Sequence, residues 1–438
     1  MKNEKDILEK LGIETLNVMQ EKAKSAIQMN NEVMLLSPTG TGKTLAFVLP
    51  LIQQIDAELN QAQLMIVVPS RELAIQIEQV IREMGSGIKV NAVYGGRSVK
   101  KDLIELDHEP QIIVGTPGRL ADHLRRDTLT ITSIKTLVLD EFDKSLEVGF
   151  DKEMQEISSA LQNVTKKVLT SATEGVNVPK FVGFKKPIIL DFLDQKKDKL
   201  VVQLALTKEK DKLFGLLKLL NHLGDEPGLI FCNFKDSIQR VSQYMNEHHV
   251  DHGVFYGGIE QKDRERALIK FRNGTHRLLI ATDLAARGLD IPEIKFIIHY
   301  HLPHSIEEFI HRNGRTARMH SKGTAYILQY EKENLPEYLA KNKFESLNCD
   351  KLDNVKKNKR PNMLTLFVSG GRKDKISKGD LAGFFLKQGG IEKNELGVIE
   401  LKNDCAFVGV TAKNSTHLIT KLNNQRLKKK KVRVYLVE

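Results

Sequence analysis

The sequence has only three cysteines in 438 residues, Cys232, Cys349 and Cys405. They are scattered, with no paired metal-ligand spacing and no disulfide framework, so a zinc module and a secreted disulfide scaffold are both excluded. Long apolar runs are also missing. No stretch approaches the length of a membrane span, and MKNEKDILEKLG at the start is charged from its second residue, unlike a signal peptide. These absences lead us to expect a cytoplasmic protein without a membrane partner.

Net positive charge is missing from most of the chain and concentrated at its end. Residues 351–438 hold 20 Lys+Arg against 8 Asp+Glu, a balance of +12, out of a net +11 for the whole sequence. The first 350 residues are therefore close to neutral, at 47 against 48. Such a footprint fits a nucleic-acid-binding appendage on a near-neutral engine. A merely solubilising tail is the bland alternative, but this segment carries strand and helix patterns of its own.

Short β-branched runs alternate with helical patterns through the rest. LMIVVP, QIIVGTP, TLVLDE and KVLTSAT read as buried parallel strands ending in polar loops. The rhythm restarts with GLIFCN, HGVFYGG, RLLIATD and FIIHYHLP. An α/β fold of two doubly wound parallel-sheet domains is expected, over residues 1–195 and 200–345, joined by the polar DFLDQKKDKL. A basic linker (346–362) leads to a βαββαβ pattern over 363–438, the order of a small α+β RNA-recognition module.

Two stretches carry chemistry. SPTGTGKT (Ser37, Pro38, Thr39, Gly40, Thr41, Gly42, Lys43, Thr44) lies between an apolar strand and a helical pattern. Its glycines let backbone N–H groups approach phosphates, Lys43 reaches the β- and γ-phosphates, and Thr44 suits Mg²⁺. About a hundred residues on, VLDEFDKS ends a strand in Asp140, Glu141 and Asp143. Acids at a helix start offset its dipole, but after a P-loop the stronger reading is nucleotide hydrolysis. Asp140 then holds Mg²⁺, largely through water, and Glu141 activates the attacking water.

At this point the chain resembles the DEAD-box RNA helicases of superfamily two. Besides SPTGTGKT and DEFD, it has PSREL, the pair Gly95-Gly96, TPGR, SAT, LIFCN, YGG with QKDR, ATDLAARGLD and HRNGRTAR, in the family's order. The resemblance implies two RecA-like domains and RNA-stimulated ATP hydrolysis with local duplex opening, using ATP and Mg²⁺. It implies that Gln20 reads adenine, Asp290 contacts ribose, and Arg315 and Arg318 act as arginine fingers with His311 beside them. By the same resemblance Arg71, Gly96, Thr116, Arg119 and Thr282 grip the RNA backbone, and Asp143, Ser171 and Thr173 couple hydrolysis to strand separation. The chain departs from the family pattern at Phe142 in place of Ala, at Ser70 in place of Thr, at Ser37 in place of Gly, and at Asn17-Val18-Met19 before Gln20.

The tail, through TLFVSGGRKDKISKGDLAG and AFVGV, resembles the RNA-binding domain of DbpA-like helicases. That implies a monomeric enzyme directed to large-subunit (23S) ribosomal RNA or pre-50S particles. A general unwinding factor in cold response or RNA decay, and an ATP-gated RNA clamp or chaperone, are the alternatives. Arg372, Lys373 and Lys375 are the expected phosphate contacts of the tail. Phe367 and Phe407 are either stacking platforms for bases or core residues, and Lys428 to Lys431 read as a solvated run.

Overall fold

Strands β1 (Glu32–Leu36), β2 (Leu64–Val67), β3 (Val90–Val93), β4 (Ile112–Gly115), β5 (Thr136–Leu139), β6 (Lys166–Ser171) and β7 (Ile188–Asp191) form one parallel sheet, ordered β3-β4-β2-β5-β6-β1-β7. The computed structural model describes residues 3–147, 149–173, 178–196, 200–283, 294–316, 322–352 and 361–437. It divides into two units, the first spanning essentially residues 1–199. β2 to β5 are buried along their whole length, because crossover helices cover both faces of an all-parallel sheet. This is why β2, β4 and β5 read in sequence as apolar runs; β3, interrupted by Asn91, did not. The edge strand β7 has no such cover on its outer side. Its Ile188 and Ile189 are exposed, and sequence reading passed over this strand, whose last residue, Asp191, opens the polar join.

Helices in this unit begin where the sequence supplies caps, as Asn3 does for α1 (Glu4–Leu11) by accepting from Asp6 N. The Asn17 side chain accepts from Gln20 N at the start of α2 (Val18–Met29), and the Gln20 side chain returns a bond to the Asn17 N–H. Ser70 caps α4 (Arg71–Met84) through Leu73 N. Each such cap satisfies an otherwise orphaned donor and is worth about 1 kcal/mol. α3 (Lys43–Ile52) is buried on nearly every side, so hydrophobicity all round, not amphipathicity, marks it.

The second unit holds another seven-stranded parallel sheet. Its strands are β8 (Leu200–Thr207), β9 (Gly228–Phe231), β10 (His252–Phe255), β11 (Leu278–Ala281), β12 (Phe296–His299), β13 (Gly323–Tyr330) and β14 (Glu345–Asn348), ordered β10-β11-β9-β12-β13-β8-β14. The two sheets share one ordering, with the strand that precedes each chemical loop ending on the same carboxyl edge.

The same unit contains the tail. Strands β15 (Met363–Val368), β16 (Leu396–Leu401) and β17 (Ala406–Thr411), a short hairpin of β18 (Arg426–Leu427) and β19 (Lys430–Lys431), and β20 (Val434–Leu436) follow. β15, β16, β17 and β20 make an antiparallel sheet ordered β16-β17-β15-β20. One face packs on helical segments through Leu381, Phe384, Phe385, Leu418 and Leu422. The opposite face is not open. Phe407 packs with Ile269 and Val437, and partly buried Phe367 and Cys405 join them. Ile269 lies on the helix Gln261–Arg272 of the neighbouring parallel-sheet domain, whose Arg272 pairs with Glu400 at 3.0 Å.

Candidate functional site

In the first unit the loop after β1 is built around Gly40 and Gly42, both at positive φ (76° and 88°), a backbone that only glycine adopts without strain. Lys43 opens α3, buried, and its Nζ donates to the carbonyls of Ser37 at 2.5 Å and Pro38 at 3.4 Å. The ammonium thus sits in the cradle that phosphate oxygens would enter. Ser37, which stands where the family has glycine, shares a hydroxyl hydrogen bond of 2.8 Å with Thr41 and closes the loop on itself. Gln20 Nε2 donates to Gly42 O at 3.2 Å, and Asn17 Nδ2 donates to Thr41 O at 3.1 Å. The capping box of α2 therefore also braces the phosphate loop.

Asp140 and Glu141 follow β5, beside that loop. Asp140 is almost fully buried, and burial, reinforced by the neighbouring Glu141 charge, pushes its pKa up to about 6. Thr170 links the pair: its hydroxyl donates to Asp140 Oδ1 and accepts from Glu141 N at 3.1 Å. Glu141 takes a positive φ of 48°, strain of the sort that collects at functional turns. Its Oε2 is buried and without a protein partner. A carboxylate placed in this way asks for a ligand, water or cation. Asp140 and the Thr44 hydroxyl give oxygen donors of the hard type Mg²⁺ takes alongside phosphate oxygens. Among the described residues no cluster of three or more His, Cys, Asp or Glu could hold a metal ion.

Phe142 explains its own departure from the family pattern. The ring is fully buried in the apolar cluster containing Leu36, Leu139, Leu169 and Met154, so it adds core volume and leaves the acids free. Asp143 turns toward the end of β6. Its Oδ2 accepts from Thr173 Oγ1 at 3.0 Å and from Ala172 N at 3.3 Å, while the Ser171 hydroxyl donates to Thr173 O at 3.0 Å. The expected coupling residues Asp143, Ser171 and Thr173 are one hydrogen-bonded group.

The loops expected to meet RNA gather at the carboxyl ends of β2, β3 and β4. Arg71 lies over Gly96, at φ 88°, so closely that a Cβ there would collide with the guanidinium. Thr116 precedes the helix Pro117–Arg125. Arg119 points inward: its side chain is 9% exposed, with Nη1 3.3 Å from Asp102 and Nη2 2.5 Å from Arg97 O.

In the second unit His311 and Arg315 are described and buried, and Thr282 N donates to Phe255 O at 3.3 Å. Asp290 and Arg318 lie outside the described residues. A residue that sequence reasoning passed over dominates this domain. Arg312 is 2% exposed, and it grips Asp283 with two guanidinium nitrogens, Asn233 Oδ1 at 2.8 Å and His301 O at 2.6 Å. Its guanidinium also lies 5.0 Å from the Phe231 ring centre. One arginine thus ties together the ends of β9, β11 and β12. The signal was present, since Asp283 belongs to ATD and Arg312 to HRNGR, but nothing in one sequence pairs them.

In the tail, Arg372, Lys373 and Lys375 are exposed on a short turn. Lys428 Nζ reaches Lys375 O at 2.6 Å, and Lys430 Nζ reaches Asp374 at 2.7 Å. The two basic stretches, read separately in sequence, form one cationic end.

Three family models match this chain in succession: DEAD/DEAH box helicase over residues 17–181, helicase conserved C-terminal domain over 211–320, and DbpA RNA binding domain over 365–436. The ATP-dependent RNA helicase DbpA of Bacillus subtilis is 30% identical, covering 98% of this chain and 96% of its own. DbpA of Escherichia coli is 31% identical with the same coverage. The chain belongs to the DEAD-box RNA helicase family. Among solved structures, the helicase is similar to Dbp5 of S. cerevisiae bound to RNA and ADP BeF3, with TM-score 0.71 and 26% identity over 80% of this chain and 95% of that one. It is also similar to Mss116p bound to ssRNA and AMP-PNP, with TM-score 0.69 and 25% identity over 75% of this chain and 73% of that one. The helicase is an ATP-dependent, RNA-binding enzyme with two RecA-like domains and a DbpA-type tail. No helix among its described residues is long and apolar enough to cross a membrane.

Proposed function

We propose that this helicase opens short duplexes in large-subunit (23S) ribosomal RNA during assembly of pre-50S particles, as a cytoplasmic monomer. The observation that carries the reading is the tail. It matches the DbpA RNA binding domain over residues 365–436, holds all the excess positive charge, and presents Arg372, Lys373 and Lys375 to solvent. Phosphate contacts from such side chains give affinity, and specificity needs a folded surface that reads RNA shape or bases. Balanced charge in the first 350 residues leaves the engine without a preference of its own. We assign the functional boundaries to residues 1–195, 200–352 and 363–438; the expected end of the second domain at 345 moves outward because β14 pairs with β8, leaving 353–362 as linker.

Within the engine, Lys43 and the loop N–H groups bind the nucleotide phosphates, and Glu141 orients and deprotonates the attacking water. Asp140 and Thr44 would hold Mg²⁺, which when bound neutralises charge on the phosphates. Arg315 and Arg318 supply guanidinium charge to the transition state, with His311 beside them, Asp290 binds ribose and Gln20 holds the adenine side of the site. Asp143, Ser171 and Thr173 transmit the nucleotide state to the RNA loops, including Arg71, Gly96, Thr116 and Thr282.

The test is ATPase stimulation of the full-length protein by a panel of 23S rRNA fragments and by random RNA of equal length. One fragment should stimulate at far lower concentration, and that advantage should shrink with rising salt as phosphate contacts release counterions. Equal stimulation by every RNA would remove the ribosomal assignment and leave a general unwinding enzyme.

A further inference from the structure

Asp102, on the helix Val99–Leu106, has no exposed surface at all. Three side chains converge on its carboxylate. Arg97 Nε meets Oδ1, while Arg119 Nη1 and His123 Nε2 meet Oδ2 at 3.3 Å and 3.2 Å. These cationic partners offset the cost of burying the carboxylate. The partners come from separate segments. Arg97 directly follows the Gly95-Gly96 turn, Arg119 ends TPGR, and His123 lies one helical turn beyond it.

Further bonds tighten the same knot. Arg119 Nη2 donates to Arg97 O at 2.5 Å, and Arg97 Nη2 donates to Ala92 O, in β3, at 2.6 Å and to Glu105 at 2.8 Å. The Arg97 guanidinium lies 4.6 Å from the Tyr94 ring centre, and His123 Nδ1 is 2.8 Å from Thr128 Oγ1. None of these bonds reaches the phosphate loop or the DEFD acids.

We infer that Asp102 is a positioning residue for RNA, fixing the Gly95-Gly96 turn against the start of the TPGR helix. In this arrangement Arg119 works inward as the latch between the two loops and is not itself a phosphate contact. Gly96 and Thr116, at the carboxyl ends of adjacent strands, keep the spacing that a nucleic-acid backbone requires. A shift of even 1 Å between such groups would cost binding steeply. The inference rests on the reading that these loops hold RNA.

The test uses full-length protein, an unstructured single-stranded oligoribonucleotide and ATP. Asp102→Asn keeps the shape but removes the charge, and Arg97→Gln loosens the knot from its partly exposed rim. For either variant the RNA concentration giving half-maximal ATPase should rise about tenfold, while maximal rate and ATP half-saturation stay within about twofold. A purely structural role would instead lower melting temperature, or maximal rate, without moving RNA half-saturation, and that result would overturn the inference. If Asp102→Asn does not fold, Arg97→Gln decides by the same measurements. Arg71→Ala, which leaves the Asp102 knot intact, tests the underlying reading. RNA weakening in Arg71→Ala alone overturns the role of Asp102 but keeps the loops as the RNA site. No weakening in any of the three variants removes both.

Discussion

Thr275 and Thr365 share a buried hydroxyl–hydroxyl hydrogen bond of 2.7 Å, and Asn273 Nδ2 donates to the same Thr365 oxygen at 3.2 Å. These residues join the loop after the helix Gln261–Arg272 to the first strand of the tail. Together with the Arg272–Glu400 pair and the Phe407–Ile269 contact, they cover one side of the tail sheet. A buried ring cannot stack on a base while this contact holds, so Phe407 serves packing. Tyr435 is different: it is 45% exposed and stacks on Phe367, with ring centres 4.6 Å apart.

Truncating the ring at this contact should separate docking from RNA binding. Phe407→Ala removes a buried aromatic, a change that costs about 3 kcal/mol or more in a packed site. Amide hydrogen exchange should rise around Ile269, while RNA affinity, carried by exposed cations, stays within about threefold. A far larger loss of affinity, with unchanged exchange, would show that the ring contacts bases.

Glu141→Gln should keep ATP and RNA binding and lose turnover. The amide is isosteric, so the Thr170 bond to Glu141 N survives, but the base is gone, a loss of about 10²-fold or more. Single-turnover hydrolysis alongside equilibrium binding of a nucleotide analogue measures both halves. Hydrolysis near the wild-type rate would shift the role of base to another group.

Thr173→Ala removes the 3.0 Å bond to Asp143 and leaves Asp140, Glu141 and Lys43 untouched. ATP hydrolysis should persist within a few-fold while duplex opening falls by about tenfold or more, as expected when a link between two states is cut. A strand-displacement assay run beside an ATPase assay reads the ratio. Parallel decline of the two activities would deny Thr173 a coupling role.

Asp140 gives a pH signature. Burial, then the Glu141 charge, raise its pKa to about 6 from an ordinary value of 3.8. The folded protein thus holds this proton more tightly than the unfolded chain does. The group's stabilising contribution is complete below the ordinary value and is lost as pH rises from about 4 to 6, in total about 3 kcal/mol. Without nucleotide, Asp140→Asn should therefore gain stability relative to wild type across that window and hold the gain above it. Thermal unfolding from pH 4 to 7 follows this, and a pH-independent difference would contradict it. Mg²⁺ would compete with this proton for the carboxylate, so the Mg²⁺ concentration for half-maximal ATPase should rise as pH falls.

Gln20→Ala tests whether the brace on the phosphate loop matters. It deletes the bond to Gly42 O and the return bond to Asn17 N. Helix start and loop should loosen together, by about 1 kcal/mol of stability, with a higher ATP concentration for half-saturation. Nucleotide titration of the variant with ATP and GTP separates loop bracing from adenine recognition: an equal loss for both nucleotides indicates bracing.

The sequence by itself determined the α/β architecture, the phosphate loop and the acid cluster. Each rests on local pattern: apolar runs for strands buried on both faces, glycines where φ is positive, and carboxylates at a strand end. It also revealed the basic tail and its βαββαβ order, because charge and periodicity are properties of the chain. What it did not reveal depends on contacts between distant segments. β7 was hidden because its apolar run, Ile188 to Leu190, is short and leads straight into the polar join. Arg312 with Asp283, and Asp102 with Arg97 and His123, looked like ordinary charged residues, and Arg119 like an outward RNA contact, until folding removed water from around them. Desolvation turns such residues into obligate partners, and it acts only once the tertiary structure has closed over them. The choice between stacking and packing for Phe407 was settled in the same way, by a helix more than a hundred residues earlier in the chain that covers the ring.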